Sequence, residues 1–320
     1  MTSPADTTDR TASSRRIAFL GPEGTFSEQA LLTQSDYAAM EMVACRTIPD
    51  VLQAVSAGDV DIGFVPIENA IEGSVNVTLD SLIFDHDLMM QREVVINVVM
   101  CLLAPAGVSM RDIERIVSIP VATAQCRGFL GTHLPDVETF AANSTATAAR
   151  AVADEGDGHS AAIATALAAK VHGLEVLAED IEDHPENQTR FVALTREGIP
   201  APTGHDKTSI VVFQKADVPG SLLTILQEFA ARGINLTRLE SRPTKRGLGD
   251  YCFIIDLEGH VGDELVADAL RDLKSKNEDV LFLGSYGAAG DHGPAVRRDA
   301  EAAWRDANTW LDTLRGSIAR

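Results

Sequence analysis

The segment Ile181-Glu-Asp-His-Pro-Glu-Asn-Gln-Thr-Arg-Phe-Val-Ala-Leu194 decides how the larger part of this chain folds. Its first half is acidic and rich in turn-forming residues, and residues 191–194 are apolar, so the pattern predicts a loop that enters a buried strand. Thr189, Arg190 and Phe191 bring a hydroxyl, a guanidinium and an aromatic ring to that entrance. Such junctions hold chemical groups on rigid support, so the trio is a candidate ligand site as well as an ordinary strand entrance.

The composition predicts an ordinary soluble globular protein. Its 320 residues are 45% hydrophobic, enough for two or three units with sizeable cores. The formal net charge of −20 argues against nucleic acid and anionic membranes as partners, because both need a concentrated basic surface. Any anionic substrate must therefore be held by local donors.

The sequence carries no recognisable targeting or membrane signal. Residues 1–14 are polar and lack the apolar stretch of a signal peptide, so we expect a disordered tail there. The longest apolar stretch, residues 94–106, is interrupted by Asn97 and is too short to cross a bilayer. We expect a cytoplasmic protein with no membrane partner.

The spacing of cysteine and histidine predicts no metal site and no cofactor. The eight histidines show no His-x-x-x-His pair, and the 4 cysteines form no Cys-x-x-Cys pair. Widely scattered cysteines fit reduced thiols in a cytosolic protein. We expect these to fill the core: Cys45, Cys101, Cys126 and Cys252.

A strand, a polar loop and a helix follow one another three times in the first 155 residues, as in an open α/β sheet. The predicted strands are residues 17–20, 62–67 and 137–140. Helix N-termini would then converge on one crevice, which suits a small anionic ligand. The hydroxyls at these loops either bind that ligand or serve only as helix caps: Thr25, Ser27, Ser144 and Thr145.

Two crossovers predict a two-lobed, doubly wound domain over residues 15–197. The apolar run of residues 94–103 is typical of one strand buried on both faces, and it would carry the chain between the lobes. Residues 191–194 would bring it back, with the cleft between the lobes and Thr189 beside the hinge. Lobe 1 would comprise about residues 15–95 plus 190–197, and lobe 2 about residues 96–189. The plan resembles that of periplasmic binding proteins.

A second unit follows the Pro- and Gly-rich linker of residues 198–206. Between residues 207 and 286 strands and helices alternate in the order βαββαβ, which is the ferredoxin-like plan. Its exposed sheet edge would favour a partner. Residues 287–320 are predicted to form a C-terminal helical extension whose helix covers about residues 295–318.

Four motifs together resemble the prephenate dehydratase family over residues 16–286. They are Gly21-Pro-Glu-Gly-Thr-Phe-Ser27, Val65-Pro-Ile-Glu-Asn-Ala-Ile-Glu-Gly-Ser74, Gln125-Cys-Arg127 and Thr189-Arg-Phe191. The resemblance implies a carbon–oxygen lyase that converts prephenate to phenylpyruvate in L-phenylalanine biosynthesis. Residues 1–14 are too few and too polar for a preceding chorismate mutase domain, so we expect a monofunctional chain.

The resemblance also implies residue roles. Thr189 would be the donor to the leaving hydroxyl, and Asn69 and Gln125 would orient the ring substituents. The implied substrate-binding residues are Thr25, Glu68, Ser118, Ser144, Thr145, Arg190 and Phe191. The family often has Ser at the position of Ala70 and His at that of Ile119, so this chain lacks a possible substrate hydroxyl and a possible proton donor.

Two of these roles have open alternatives. Arg190 would either pair with a substrate carboxylate or form a bidentate bridge to Glu68 or another acidic residue of the opposite lobe. Phe191 would either help to form an apolar seat for the ring or lie in the core.

The second unit is similar to ACT regulatory domains, through Pro219-Gly-Ser-Leu222 and Glu240-Ser-Arg-Pro243. The resemblance implies feedback inhibition by L-phenylalanine, bound between paired ACT domains of a homodimer, with a tetramer as the full assembly. The implied effector-binding residues are Gly220, Ser221, Leu222, Asn235, Leu236, Glu240, Ser241, Arg242 and Pro243.

Two rival functions remain open at this point. Arogenate dehydratase catalyses the same chemistry on the aminated substrate, and no residue of this sequence excludes it. A non-enzymatic amino-acid or solute sensor would also combine a two-lobed cleft with an ACT domain. Turnover on prephenate and arogenate would separate the three.

Overall fold

The computed structural model describes residues 15–214, 218–247, 249–290, 306–307 and 309–317. The chain divides into two compact units, of which the first comprises the chain up to His86 with Val94–Thr195, and the second Asp87–Glu93 with the chain from Arg196 onward. The predicted tail at residues 1–14 lies outside the described residues, as do residues 295–305, 308 and 318 of the predicted C-terminal helix. Residues 306–307 and 309–316 are helical.

In the described residues before Arg196 the chain forms eleven strands and eight α-helices. The strands are β1 (Arg16–Leu20), β2 (Glu41–Cys45), β3 (Ile62–Asn69), β4 (Gly73–Ser74), β5 (Met89–Asn97), β6 (Cys101–Ala104), β7 (Arg115–Ser118), β8 (Glu138–Ala141), β9 (Ser160–Ala164), β10 (Glu175–Ala178) and β11 (Gln188–Thr195). The helices are α1 (Phe26–Leu32), α2 (Ser35–Ala38), α3 (Ile48–Ala57), α4 (Asn76–Phe84), α5 (Pro120–Gln125), α6 (Arg127–His133), α7 (Thr145–Glu155) and α8 (Ala166–His172).

These strands form two sheets with the same plan, which define lobe 1 and lobe 2. Lobe 1 has the order β2-β1-β3-β11-β5 and lobe 2 the order β10-β6-β9-β7-β8. In lobe 1 β1 runs parallel to β2 and β3, and β11 runs antiparallel to β3. In lobe 2 β7 runs parallel to β8 and β9, and β6 runs antiparallel to β9. Each lobe therefore has three parallel strands with an antiparallel strand beside them.

The apolar run of residues 94–103 is two strands, so the prediction of one continuous strand was wrong. β5 ends at Asn97 and β6 begins at Cys101. Between them the Val98 N–H donates to the Asn187 carbonyl over 2.8 Å, and the Met100 N–H donates to the Glu182 carboxylate over 2.7 Å. Hydropathy cannot show this change of partner, because the chain leaves one sheet and bonds to the returning segment before it enters the other.

Each lobe has a core of its own. In lobe 1 the rings of Phe64 and Phe191 stack with centroids 5.3 Å apart, among buried side chains of β1 and α1. In lobe 2 buried alanines of α7 and α8 pack against one face of the sheet, and larger side chains cover the other face. Small residues let the helices approach the sheet closely, which tightens the packing.

The second unit has the predicted ferredoxin-like order. Its elements are β12 (Asp206–Phe213), α9 (Ser221–Ala230), β13 (Leu236–Pro243), β14 (Tyr251–Glu258), α10 (Glu264–Lys276) and β15 (Asp279–Gly287). They form an antiparallel sheet with the order β13-β14-β12-β15. The second strand, predicted at residues 234–239, spans Leu236–Pro243, and exposed residues alternate with half-buried ones along it.

The described residues contain neither a membrane-spanning helix nor a metal-binding cluster. Among the helices of the described residues, none combines the length and the apolar character needed to cross a bilayer. In the same part of the chain, no group of three or more His, Cys, Asp or Glu side chains could hold a metal ion.

Candidate active site

The end of β3 and the start of β11 bring two distant motifs together. Thr189 pairs with Asn69, and Arg190 pairs with Glu68, in the antiparallel ladder. The residues of each pair are far apart in sequence, and residue 189 follows Asn69 by 120 positions. The tripeptide at residues 189–191 therefore lies on lobe 1, at the edge where β3 ends.

The side-chain amide of Asn69 is held in one orientation. Its oxygen Oδ1 accepts the backbone N–H groups of Ile71 and Glu72, over 3.0 and 2.9 Å. Backbone N–H groups can only donate, so the oxygen must face them and the nitrogen must face away. The nitrogen Nδ2 donates to the hydroxyl oxygen of Thr189 and to Oδ1 of Asn187, each over 2.9 Å.

This orientation determines what the Thr189 hydroxyl can do. Its oxygen accepts from Asn69, so its own hydrogen is available to a ligand. A hydroxyl that accepts one hydrogen bond becomes a better donor of the next. A neutral amide that donates cannot remove a proton, whereas a nucleophilic hydroxyl needs a neighbouring base. The pair is therefore suited to donation and not to nucleophilic attack.

Gln125 and Asn187 extend the network from lobe 1 to lobe 2. Gln125 lies at the end of α5 and is 9% exposed. Its oxygen accepts from Asn187 Nδ2 over 3.2 Å, and its nitrogen donates to a carboxylate oxygen of Glu72 over 3.2 Å. The three residues assigned to catalysis, Asn69, Gln125 and Thr189, thus share one hydrogen-bonded network.

Asn187 and Glu72 also belong to this network, and neither is among the site residues predicted from the sequence. Asn187 is 1% exposed. It precedes Thr189 by two positions, and side chains two apart in an extended segment point to the same face. That spacing could have identified Asn187, whereas Glu72 sits in an exposed turn with no comparable signal.

Arg190 bridges to Glu68, one of the two roles left open. Its Nη1 lies 3.4 Å from Oε2 of Glu68, and the side chains are 10% and 40% exposed. The two residues are neighbours on β11 and β3, so the bridge lies within lobe 1 and does not join opposite lobes. The exposed share of Glu68 leaves its carboxylate within reach of solvent.

Phe191 and Ser118 are enclosed by their own lobes. Phe191 is 1% exposed and stacks on Phe64, as the core alternative predicts, so the ring offers no surface for an aromatic seat. Ser118 is 0% exposed and its hydroxyl donates to the Ile163 carbonyl over 2.7 Å. Both side chains therefore stabilise the lobes in this structure.

The hydroxyls at the helix N-termini act as caps. Thr25 accepts the Glu28 N–H over 3.4 Å at the start of α1, and Ser144 accepts the Thr147 N–H over 2.9 Å at the start of α7. Thr145 is the first residue of α7 and is 5% exposed. Thr25 and Ser144 thus serve as helix caps. A ligand at these positions would also meet the free backbone N–H groups of the helix N-termini.

Ala70 and Ile119, the two positions that depart from the family pattern, both take part in structural contacts. The Ala70 N–H donates to the Gln188 carbonyl over 2.8 Å, next to the Asn69–Thr189 pair. Ile119 caps α5 without a side-chain hydrogen bond and packs against the core of lobe 2. A cavity of about 460 Å³ lies beside it in lobe 2, and its lining includes Ser118, Arg127 and Phe140 but none of the three network residues assigned to catalysis.

Comparison with known families decides the kind of site. A family model described as prephenate dehydratase matches residues 17–199, and a model described as ACT domain matches residues 208–275. The chain belongs to the prephenate dehydratase family. These matches confirm the family, the enzyme class and the ACT domain that the sequence motifs predicted.

Individual relatives agree over nearly the whole chain. The prephenate dehydratase of Mycolicibacterium gilvum is 43% identical over 313 residues, which cover 93% of this chain and 98% of that one. The crystal structure of prephenate dehydratase from Arthrobacter aurescens in complex with L-Phe has a TM-score of 0.87 and 41% identity, and covers 94% of this chain and 100% of that one. The two-lobed α/β fold with an ACT domain is thereby confirmed.

One similar structure has a different description. GqqA, described as a novel type of quorum quenching acylase, has a TM-score of 0.78 and 31% identity, and covers 86% of this chain and 98% of that one. The prephenate dehydratase family fold thus also occurs in a protein described as an acylase.

In this member of the prephenate dehydratase family the predicted effector residues lie at two ends of one strand. Phe213, at the end of β12, and Arg242, near the end of β13, both pair with Cys252. The connection from β12 to Gly220 and the start of α9 therefore begins at the sheet end where β13 finishes. Ser241 and Pro243 are near that end. Asn235 and Leu236 lie at the opposite end of β13, about 20 Å away at the rise of a strand.

The other predicted effector residues take part in local contacts. Glu240 accepts from Arg238 Nη2 over 2.7 Å and lies 3.7 Å from Arg242 Nη1. Asn235 donates from its side chain to Glu258 over 3.0 Å. Leu222 is half-buried beside the core of the second unit. Gly220 caps α9 with a φ of 88°, a conformation that favours glycine.

Proposed function

We propose that this chain converts prephenate to phenylpyruvate, carbon dioxide and water, with Thr189 as the donor to the departing hydroxyl. The observation that carries the proposal is the Asn69–Thr189 hydrogen bond of 2.9 Å, which leaves the threonine hydrogen available. In the reaction the ring hydroxyl leaves with a proton as water. The bond to the ring carboxylate breaks, carbon dioxide departs, and the electron pair of that bond completes the aromatic ring.

A threonine hydroxyl is a very weak acid, so its contribution must come through orientation. Thr189 donates a hydrogen bond to the leaving oxygen, or passes a proton on as one link of a relay. Asn69 supports this by donating to the threonine oxygen, and Gln125 holds the network from lobe 2. General-acid assistance of this kind is worth about 10²–10⁴-fold in rate, and fixed dipoles add to it.

Prephenate has two carboxylates, and the donors for them must be local because the chain's net charge is −20. The N-terminus of α7, with Ser144 and Thr145, is the proposed site for the side-chain carboxylate. Arg190 and Glu68 would lie at the edge of the substrate site, and Thr25 would line it from α1. A poorly hydrated seat for the ring carboxylate would favour its loss as neutral carbon dioxide.

The rival functions make different chemical demands. An acylase that used Thr189 as its nucleophile would need a base beside the hydroxyl, and the amide of Asn69 cannot accept that proton. Arogenate differs from prephenate by an amino group in the side chain, so it would meet the same donor. A sensor would bind either compound without turning it over.

Regulation by L-phenylalanine at a homodimer of ACT domains is part of the proposal. The predicted effector residues lie at opposite ends of β13, so one copy cannot surround a single phenylalanine with all of them. β13 is an edge strand, and two copies that pair antiparallel along it would bring Asn235 of one chain near Arg242 of the other. Phenylalanine must bind the less active state more tightly in order to inhibit.

A homotetramer in the cytoplasm completes the proposal, and the tetramer rests on the family resemblance. The deciding experiment measures phenylpyruvate formation from prephenate, with and without L-phenylalanine, on the full chain. We expect turnover that phenylalanine lowers, and weaker turnover on arogenate. Binding of prephenate without product would favour the sensor, and preference for arogenate would favour that rival. Hydrolysis of an acyl amide in place of prephenate turnover would favour the acylase.

A further inference from the structure

The network around Thr189 closes into a ring of hydrogen bonds that all run in one direction. Asn69 donates to Asn187 over 2.9 Å, Asn187 donates to Gln125 over 3.2 Å, and Gln125 donates to the Glu72 carboxylate over 3.2 Å. The backbone N–H of Glu72 then donates to Oδ1 of Asn69 over 2.9 Å. Thr189 is joined to this ring by the hydrogen bond from Nδ2 of Asn69, which also lies 3.3 Å from the Gln188 carbonyl.

The direction of the hydrogen bonds in the ring is determined by two kinds of group, one that can only donate and one that accepts. The backbone N–H groups of Ile71 and Glu72 only donate, so they hold the oxygen of Asn69. The carboxylate oxygen of Glu72 accepts from the nitrogen of Gln125 and so holds that nitrogen toward it. Asn187 stands between them and must present its oxygen to Asn69 and its nitrogen to Gln125. Each amide is therefore orientated by its neighbours.

We infer that Glu72 and Asn187 are positioning residues, which keep the amide of Asn69 pointed at the Thr189 hydroxyl. The inference deepens the proposed function and rests on it. Neither residue needs to touch the reacting atoms, because each acts through Asn69. Glu72 is exposed in the turn after β3, and it reaches Gln125 of lobe 2 from lobe 1. The ring therefore forms only while the two lobes are close together.

A donor at position 72 should break the ring at a predictable place. In Glu72→Lys the ammonium group would attract the oxygen of Gln125, which turns its nitrogen toward Asn187. Asn187 would then turn its own nitrogen toward Asn69. The oxygen of Asn69 stays with the backbone N–H groups, so two amide nitrogens would face each other and one link would fail. In Glu72→Gln an amide oxygen can still accept from Gln125, and the ring keeps its direction.

The experiment compares kcat and KM for prephenate in Glu72→Lys, Glu72→Gln and Asp154→Lys. Because Asn187 is 1% exposed, its substitution would put the fold at risk, and the test is made at exposed Glu72. Asp154 is exposed on α7 and gives the same change of charge away from the ring. We expect kcat to fall by about 10- to 100-fold in Glu72→Lys with little change in KM, as for a small misplacement of a catalytic group. Glu72→Gln and Asp154→Lys should stay near the wild type, and thermal unfolding should be alike in all.

Equal kcat in Glu72→Lys and Glu72→Gln, whether high or low, overturns the inference, because the direction of the ring would then be irrelevant. A matching loss in Asp154→Lys overturns it as well, since overall charge would explain the result. A second measurement does not depend on turnover: side-chain amide hydrogen exchange followed by NMR. Signals of Asn69, Asn187 and Gln125 should exchange more slowly than that of exposed Gln53 in the wild type and lose this protection in Glu72→Lys. Fast exchange in the wild type rejects the ring even if prephenate is turned over, whereas slow exchange without turnover rejects only the proposed function.

Discussion

Asn69 donates its side-chain amide hydrogen to the hydroxyl oxygen of Thr189 over 2.9 Å, across neighbouring antiparallel strands. The direction of this bond matters more than its length. If the threonine donated to the amide instead, its hydrogen would be occupied and unable to meet a leaving group. Because the amide oxygen is held by two backbone N–H groups, the direction cannot reverse without loss of those bonds.

Removal of the Thr189 hydroxyl should stop turnover without unfolding the chain. We expect Thr189→Ala to lower kcat by roughly two or more orders of magnitude, in line with the loss of general-acid assistance. Thr189→Ser keeps the hydroxyl and should retain much more activity. A phenylpyruvate assay together with circular dichroism checks both. Turnover close to the wild type in Thr189→Ala would contradict the assigned role.

The bridge between Arg190 and Glu68 should contribute modestly to stability. The pair is 3.4 Å apart and its carboxylate side chain is 40% exposed, so solvent weakens the attraction. A double-mutant cycle with Arg190→Gln and Glu68→Gln should give a coupling free energy of about 0.5–1 kcal/mol in urea unfolding. If the cycle shows no coupling and Arg190→Gln raises the KM alone, the guanidinium serves the substrate and not the bridge.

Pairing of two chains along β13 predicts a specific disulfide. Leu239 lies near the middle of the strand and is 43% exposed. In an antiparallel pair centred there, Leu239→Cys would lie next to its own copy and should form a covalent dimer under mild oxidation. Thr237→Cys is the matched control, because it lies on the same face but off the centre, and its two copies would be too far apart. A monomer band for both variants on a non-reducing gel would reject this pairing.

Arg232 should stabilise the second unit in a pH-dependent manner. It binds Glu228 over 2.8 Å, and Asp268 and Asp272 each over 2.7 Å, and so ties α9 to α10. The hydrogen bond from Arg232 lowers the pKa of Asp272 below its ordinary value of 3.8. A lowered pKa in the folded state stabilises the protein above the ordinary pKa, and the effect is lost as the pH falls through the folded value.

We therefore expect Arg232→Gln to unfold at lower urea concentration than the wild type at pH 7. The difference between the two proteins should shrink on acidification below about pH 4 and in high salt. Urea unfolding at several pH values measures it. Lys276 forms a neighbouring, more exposed pair with Glu228, so Lys276→Gln is the control, and it should have the smaller effect. If the difference in unfolding urea concentration between Arg232→Gln and the wild type were equal at every pH, Arg232 would act by packing alone.

Much of the fold followed from local patterns, because each element carries its own signal. The second unit alternates apolar strands with amphipathic helices, and its six elements appear in the predicted order. The crossover at residues 98–100 could not be predicted in this way, since its apolar residues look like a strand. Only the bonds of Val98 and Met100 to the returning segment reveal the break.

The site was predictable to the extent that it consists of motifs. Asn69, Gln125 and Thr189 lie in quoted motifs, and the structure joins them through hydrogen bonds. The sequence alone could not show whether the ring of Phe191 is buried or exposed. It also could not show whether the Ser144 hydroxyl caps a helix or binds a ligand. The spacing to Thr189 could have placed Asn187 on the same face, but the sequence does not show which atom of its amide faces which neighbour.

The chain leaves lobe 1 at the end of β5 and re-enters it at β11, and these strands are neighbours in the sheet. At this point Gln188 donates to Asn97 over 2.9 Å, so the exit and the return are adjacent. Lobe 2 is thus an inserted segment, and lobe 1 is the host, whose sheet could form without it because β5 and β11 are neighbours. A host shortened by replacing residues 98–187 with a tight turn would still contain Thr189 and Asn69, yet it would lack Asn187 and Gln125. The host therefore carries the donor and the backbone N–H groups that orient Asn69, whereas the inserted segment supplies the two amides that complete the ring of hydrogen bonds.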